Sequence, residues 1–104
     1  MNNESQYGIS QSDIQEIISA IVQNDKITKI ILFGSRAKGN FKAGSDIDLA
    51  LVGLDLKLND ILDATIEIEK LNLPYKFDLI IYNRITESAL IEHIERKGII
   101  LYNK

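Results

Sequence analysis

The sequence predicts an α/β domain of the α+β type, in which a small mixed β-sheet is flanked by helices. Short β-branched apolar runs alternate along the 104 residues with stretches whose apolar residues recur every three or four positions. The link between the first two apolar runs is only about a dozen residues long, which is too short for a comfortable parallel crossover helix. We therefore expect a mixed sheet.

The composition narrows the classes of function. A net charge of -3 and a pI of about 5.1 give no general basic surface, so we expect no direct nucleic-acid partner. The absence of cysteine excludes disulfides, thiolate metal sites and cysteine nucleophiles. No signal peptide or membrane-spanning run is visible, so we expect a cytoplasmic protein without a membrane partner. We expect a single domain over residues 1–104, with a flexible N-terminus over residues 1–10.

The first half of the chain is predicted to hold a helix and two strands. Ser12 and Gln15 are spaced as a capping box, and the isoleucines that follow recur at helical spacing. Ile27–Phe33 is a β-branched run typical of a buried strand. Residues 34–44 hold three glycines and three cations, which indicates a loop or a short helix. Residues 46–52 alternate as in a second strand, with the odd-numbered residues on one face.

A second helix is predicted to begin with Asn59 as its cap and to run through Leu71. Its apolar residues form a stripe that includes Leu62 and Ile66, and its acidic residues would then form the solvated face.

The last part of the chain is predicted to hold a strand, a helix and a short strand. Residues 75–82 form a largely apolar run in which Asp78 interrupts the apolar residues after Lys76. Thr86 is suited to cap the last helix, and Gly98 is suited to end it. Residues 99–102 are expected to add a fourth strand.

The segment most informative about function is Gly34-Ser35, followed after ten residues by Asp46-Ile47-Asp48. Glycine allows a sharp turn and a close approach to a ligand, and amide groups that follow it can point at a phosphate. Asp46 and Asp48 are two positions apart on a strand, so both carboxylates project from one face with their Cα atoms about 7 Å apart. Such a pair can bind one divalent ion or bridge two.

Asp78 is the candidate for a third acid, because it interrupts the apolar residues Phe77, Leu79, Ile80 and Ile81 of the predicted strand. If that strand lies beside the strand of Asp48, three carboxylates meet at one end of the sheet and repel each other until a metal binds. Carboxylates combined with phosphate oxygens suit Mg²⁺. Asp78 could then accept the proton of an attacking hydroxyl as a nucleotide is transferred.

These residues resemble the motif of the DNA polymerase β-like nucleotidyltransferase superfamily, which has a Gly-Ser pair, an Asp-x-Asp pair and a later Asp in a strand. The match is best with its smallest branch, the minimal nucleotidyltransferases (MNT) of prokaryotic HEPN/MNT toxin–antitoxin pairs. The resemblance runs from about Ile14 to Tyr102. It implies the polymerase β-like nucleotidyltransferase fold.

By motif position, the resemblance implies that Gly34 and Ser35 hold the triphosphate and that Asp46 and Asp48 bind two Mg²⁺ ions. Asp78 would bind one of these ions and take the acceptor proton. It further implies an antitoxin that transfers AMP from ATP to a tyrosine of a HEPN ribonuclease toxin. Arg36 is the best placed of three nearby cations to contact phosphate.

Two other functions remain open. The chain could be a catalytically inactive nucleotide-binding module that neutralises a partner by contact, or it could modify a small molecule. The three acids favour an enzyme over an inactive module, and the lack of a second lobe argues against a small-molecule enzyme. His93, the only histidine, is expected at the surface or its boundary rather than as a metal ligand.

Overall fold

A four-stranded mixed sheet forms the centre of the protein in the computed structural model, which describes residues 7–104. Its strands are β1 (Ile27–Phe33), β2 (Ile47–Gly53), β3 (Phe77–Ile81) and β4 (Ile99–Asn103). Its helices are α1 (Gln11–Ile21), α2 (Ser35–Lys38), α3 (Leu58–Glu69) and α4 (Ser88–Lys97), with a 3-10 turn over Tyr82–Arg84. None of the helices in residues 7–104 has the length and apolar character needed to cross a lipid bilayer.

The strands lie in the order β3-β2-β1-β4. Strand β1 is antiparallel to both β2 and β4, whereas β2 and β3 are parallel because α3 crosses over between them. The predicted mixed sheet flanked by helices is therefore confirmed. The parallel pairing is the feature that matters for function, since it sets the first residues of β2 and β3 side by side.

The two faces of the sheet carry two separate apolar clusters. Helices α1 and α3 cover the face that carries the odd-numbered residues of β2, Ile47, Leu49 and Leu51. Helix α4 covers the other face through Ile94, which packs with residues of β1 and β2 in a smaller cluster. Asp48 belongs to this second face, because successive residues of a strand point to opposite sides.

Residues 7–10 are more ordered than the sequence indicated. A flexible N-terminus was expected over residues 1–10, but Ile9 is only 1% exposed and belongs to the main core. Ser10, rather than Ser12, caps α1, because its hydroxyl accepts the backbone N–H of Asp13 at 3.1 Å. Both serines could act as caps, and the burial of Ile9 selects the earlier one. Residues 1–6 lie outside the described part of the chain.

Helix α3 differs from its prediction in its start and in its buried face. It begins at Leu58 rather than after Asn59, and its buried residues are Asp60, Ala64 and Ile68. Leu62 and Ile66, predicted to face the core, are each 50% exposed. The apolar residues of this helix thus cover a wider arc than one packed face can bury.

The buried acid at the start of α3 is fixed by neighbours distant in sequence. The carboxylate of Asp60 accepts the Lys57 backbone N–H at 2.7 Å, the Asn24 amide at 2.7 Å and the Lys26 ammonium at 2.9 Å. Asp60 is therefore not part of the solvated face that the sequence predicted. It joins the turn between α1 and β1 to the first turn of α3.

Candidate active site

The first residues of β2 and β3 bring the predicted acids together at one edge of the sheet. Asp48 and Asp78 are register partners in the parallel pair, so their side chains project from the same face as neighbours. Asp46 lies two residues before Asp48, immediately ahead of β2, and is near enough for its charge to act on the Asp48 carboxyl. Asp46 and Asp78 are exposed and Asp48 is half-buried, which leaves this rim open to solvent.

The three carboxylates act on one another electrostatically. Burial raises the pKa of Asp48 above its ordinary value, and the negative charges of Asp78 and Asp46 raise it further. A divalent cation between these groups would relieve both effects, because it supplies positive charge where the carboxylates repel. The donor set therefore fits a Mg²⁺ site.

The acids do not form a finished metal cage. Within residues 7–104, no three acidic, histidine or cysteine side chains are gathered closely enough to enclose an ion on their own. An open set of carboxylates is what Mg²⁺ commonly uses when phosphate oxygens and water complete its octahedral shell.

Gly34 places a sharp turn directly beside this acidic rim. It follows β1 with a φ of 79°, a left-handed conformation that favours glycine. A Cβ atom at this position would collide with the Asp48 carboxylate. Ser35, half-buried, opens the single turn of α2 next to it. The Gly-Ser pair and the acids therefore form one continuous site.

His93 contacts the Gly-Ser turn from α4. Its Nε2 atom accepts the backbone N–H of Gly34 at 3.0 Å, and its ring packs edge-on against Phe33 at a centroid distance of 6.2 Å. The half-buried position agrees with the boundary location expected from the sequence. The contact with Gly34 was not foreseen, because 59 residues separate the partners and no local pattern connects them.

Arg36 does not occupy the position that a phosphate contact requires. Its side chain is 2% exposed, and its guanidinium donates to the carbonyl oxygens of Ser45, Tyr7 and Gly8 at 2.9–3.2 Å. The guanidinium also lies over the ring of Phe41, at 5.3 Å from its centroid. The interpretation of Arg36 as a phosphate ligand is therefore corrected, because its donors are already used to hold the backbone around α2.

Comparison with known proteins agrees with this geometry. The sequence model of the family described as "Polymerase beta, Nucleotidyltransferase" matches residues 15–104. A protein of Methanocaldococcus jannaschii named protein adenylyltransferase MJ0141 is 30% identical over 93 residues, which cover 84% of this chain and 90% of that protein. The similarity therefore includes both the Gly-Ser turn and the acidic rim.

Solved structures share the fold. A chain of a toxin–antitoxin complex with AMP-PNP superposes with a TM-score of 0.73 at 24% identity, covering 88% of this chain and 73% of that one. A chain of the complex between tri-AMPylated Shewanella oneidensis HEPN toxin and MNT antitoxin gives a TM-score of 0.68 at 23% identity, covering 90% and 72%. The fold that the motif resemblance implied is thus confirmed.

Proposed function

Because this chain belongs to the polymerase beta nucleotidyltransferase family, we propose that it transfers AMP from ATP to a tyrosine hydroxyl of a HEPN ribonuclease toxin and so acts as its antitoxin. Nucleotidyl transfer is the activity of the family. The nucleotide, the acceptor and the antitoxin role are the proposal. The observation that carries it is the pairing of Asp48 with Asp78 in parallel strands, beside the Gly34-Ser35 turn.

In this proposal the three acids hold Mg²⁺. Asp46 and Asp48 would contribute to two ions, and Asp78 would contribute to one. The raised pKa of Asp48 supports this assignment, because burial and then the negative charges of Asp78 and Asp46 disfavour its ionised form until positive charge is supplied. When bound, Mg²⁺ neutralises charge on the triphosphate and on the reacting oxygens.

The remaining residues bind the nucleotide and move a proton. The turn at Gly34 would let the triphosphate approach closely, and the amide group and hydroxyl of Ser35 would bind it, as the motif position implies. The N–H of Gly34 itself donates to His93. Asp78 would accept the proton of the attacking hydroxyl. That oxygen then forms a bond to the α-phosphorus while the bond between the α- and β-phosphates breaks, and pyrophosphate leaves with the electron pair. The acceptor keeps the AMP group.

The acceptor is assigned to a partner protein on two grounds. The acids lie at an exposed rim, and residues 7–104 contain no second lobe that covers them. A rim of this kind can accept a hydroxyl that projects from another macromolecule. The proteins that share the fold include MNT antitoxin in complex with an AMPylated HEPN toxin, which supports a HEPN partner.

The direct test incubates the purified chain with a purified HEPN toxin, Mg²⁺, and ATP labelled at either the α- or the γ-phosphate. We expect only the α-label to appear on the partner, at a tyrosine identified by mass spectrometry. Asp48→Asn should abolish transfer, whereas Asp63→Asn, at an exposed acid of α3, should not. Toxin neutralised with no label transferred would instead favour inhibition by contact alone.

A further inference from the structure

We propose that His93 is a positioning residue of the candidate active site. Its imidazole fixes the turn at Gly34 and, through that turn, the relation between Ser35 and the Asp48 carboxylate. The inference rests on the proposed function, since it concerns the same nucleotide site. It assigns a role to a residue of α4, which lies outside both the Gly-Ser and the Asp-x-Asp motifs.

The hydrogen bond from Gly34 to His93 lies directly after the end of β1. The ladder between β1 and β2 ends with the pair Phe33 and Asp48, so the N–H of Gly34 lies just beyond it. A half-buried backbone donor at such a position needs an acceptor. Nε2 of His93, at 3.0 Å, provides it. The proton of the neutral imidazole then lies on Nδ1.

His93 is itself held firmly. The next residue, Ile94, is buried in the cluster that joins α4 to the sheet, and the His93 ring packs against Phe33 at an interplanar angle of 71°. At the end of α4, a Cβ on Gly98 would collide with the carbonyl oxygen of Ile94 and a methyl group of Ile31. This close packing fixes α4, the helix that carries the imidazole, against β1.

Gly34 therefore lies between two functional groups. Its N–H is held by His93 on one side, while the Asp48 carboxylate packs where a Cβ would otherwise be. Any movement of this turn changes the placement of Ser35 relative to Asp48. Displacements of about 1 Å can reduce enzymatic rates by two orders of magnitude, so a bond that prevents them affects nucleotide binding and transfer.

The test uses three variants that differ in their acceptor. His93→Gln keeps an oxygen at about the reach of Nε2, His93→Asn has a shorter side chain, and His93→Leu has no acceptor. Glu92→Gln, at the exposed neighbouring residue, is the matched control. The readouts are the Kd for Mg²⁺·AMP-PNP and, with the partner, kcat and KM for ATP. Thermal unfolding shows whether each variant is folded.

We expect His93→Leu and His93→Asn to weaken Mg²⁺·AMP-PNP binding and kcat/KM by roughly 10- to 100-fold, the range found when groups supporting a site are removed. His93→Gln should stay near the wild type, as should Glu92→Gln. Equal values for His93→Gln and His93→Leu would overturn the proposal, because loss of packing alone would then explain both.

A measurement on the unaltered protein tests the same contact should a variant fail to fold. In ¹⁵N-labelled protein, NMR should detect a scalar coupling between the Gly34 amide nitrogen and Nε2 of His93, transmitted through the hydrogen bond. The absence of this coupling would overturn the proposal. Binding and coupling are read without the partner, so a chain that passes both tests but transfers no AMP would contradict only the proposed function.

Discussion

The carboxyl of Asp48 is held in surroundings that disfavour its ionised form. Its pKa is raised by partial burial and then by the charges of Asp78 and Asp46. A carboxyl whose pKa is higher in the folded than in the unfolded chain stabilises the fold only while it is protonated. This contribution is present at low pH and is lost as the pH rises through the folded pKa. At neutral pH the ionised group therefore weakens the fold.

Replacing Asp48 with asparagine should separate stability from activity. We expect the Tm of Asp48→Asn at pH 7 to equal or exceed that of the wild type, because one of three repelling charges is gone. The difference should shrink as the pH is lowered and Asp48 of the wild type becomes protonated. Thermal unfolding followed by circular dichroism at several pH values provides the measurement. A marked loss of stability in the variant at pH 7 would argue against repulsion at the rim.

Arg36 should behave as a structural residue. Lysine at this position keeps the charge but cannot reproduce the fork that donates to Ser45, Tyr7 and Gly8. We expect Arg36→Lys to lower the free energy of unfolding by on the order of 3 kcal/mol, since buried carbonyl groups lose charged donors. The exposed Lys38→Arg is the control, and urea denaturation is the measurement. A variant of wild-type stability with a raised KM for ATP would restore the phosphate interpretation.

Residue type and spacing predicted that the acids lie close together and that Gly34 forms a sharp turn. They could not predict the surroundings of each side chain. Asp46 and Asp48 are two residues apart in the sequence, so their closeness follows from local geometry alone, although β2 begins only at Ile47. Arg36 and His93 differ, because their roles depend on partners brought near by tertiary packing. An arginine beside a Gly-Ser turn is as compatible with a phosphate ligand as with a buried brace.

Strands were easier to predict than helix boundaries and helix faces. Strand β1 was predicted with its observed limits, because a run of β-branched residues that ends at glycine leaves few alternatives. Helix α3 was less determined, since apolar residues occur around most of its circumference and the sheet decides which of them are covered. The burial of an acid, Asp60, in its first turn reverses the usual expectation for that residue type.

The ionised carboxylate of Asp60 stabilises the start of α3. The pKa of Asp60 is lowered to about 2, chiefly by its hydrogen bond from Lys26 and then by the backbone N–H of Lys57. The ionised form therefore stabilises the fold above pH 4 or so, and this contribution is lost as the pH falls from there towards about 2. The stabilisation holds the α1–β1 turn against α3.

Asp60→Ala should remove that link. We expect a loss of roughly 1–3 kcal/mol in the free energy of unfolding at pH 7, because the Asn24 amide, the Lys26 ammonium and the first turn of α3 lose their acceptor. The loss should be smaller at pH 2–3, where the wild-type carboxyl becomes protonated. Asp63→Ala on the exposed side of α3 serves as the control. Equal losses at both pH values would show that the ionised carboxylate is not the stabilising group.

The topology of the sheet determines where the acids and the Gly34 turn meet. Because β1 and β2 are antiparallel, the end of β1 and the Gly34 turn lie beside the start of β2. The α3 crossover then returns β3 in parallel, which brings Asp78 beside Asp48. The sequence predicted this meeting only on condition that the two strands were neighbours. The strand order satisfies that condition, because β2 and β3 are neighbours. The acids therefore lie at one edge of the sheet, which is open to solvent.

The most direct test of the central claim is a crystal structure with Mn²⁺, which can replace Mg²⁺ and has a usable anomalous signal, and a non-hydrolysable ATP analogue. We predict anomalous peaks among the carboxylates of Asp46, Asp48 and Asp78, with the triphosphate against Gly34 and Ser35. Mn²⁺ bound away from these carboxylates, or a triphosphate bound elsewhere on the protein, would contradict the account.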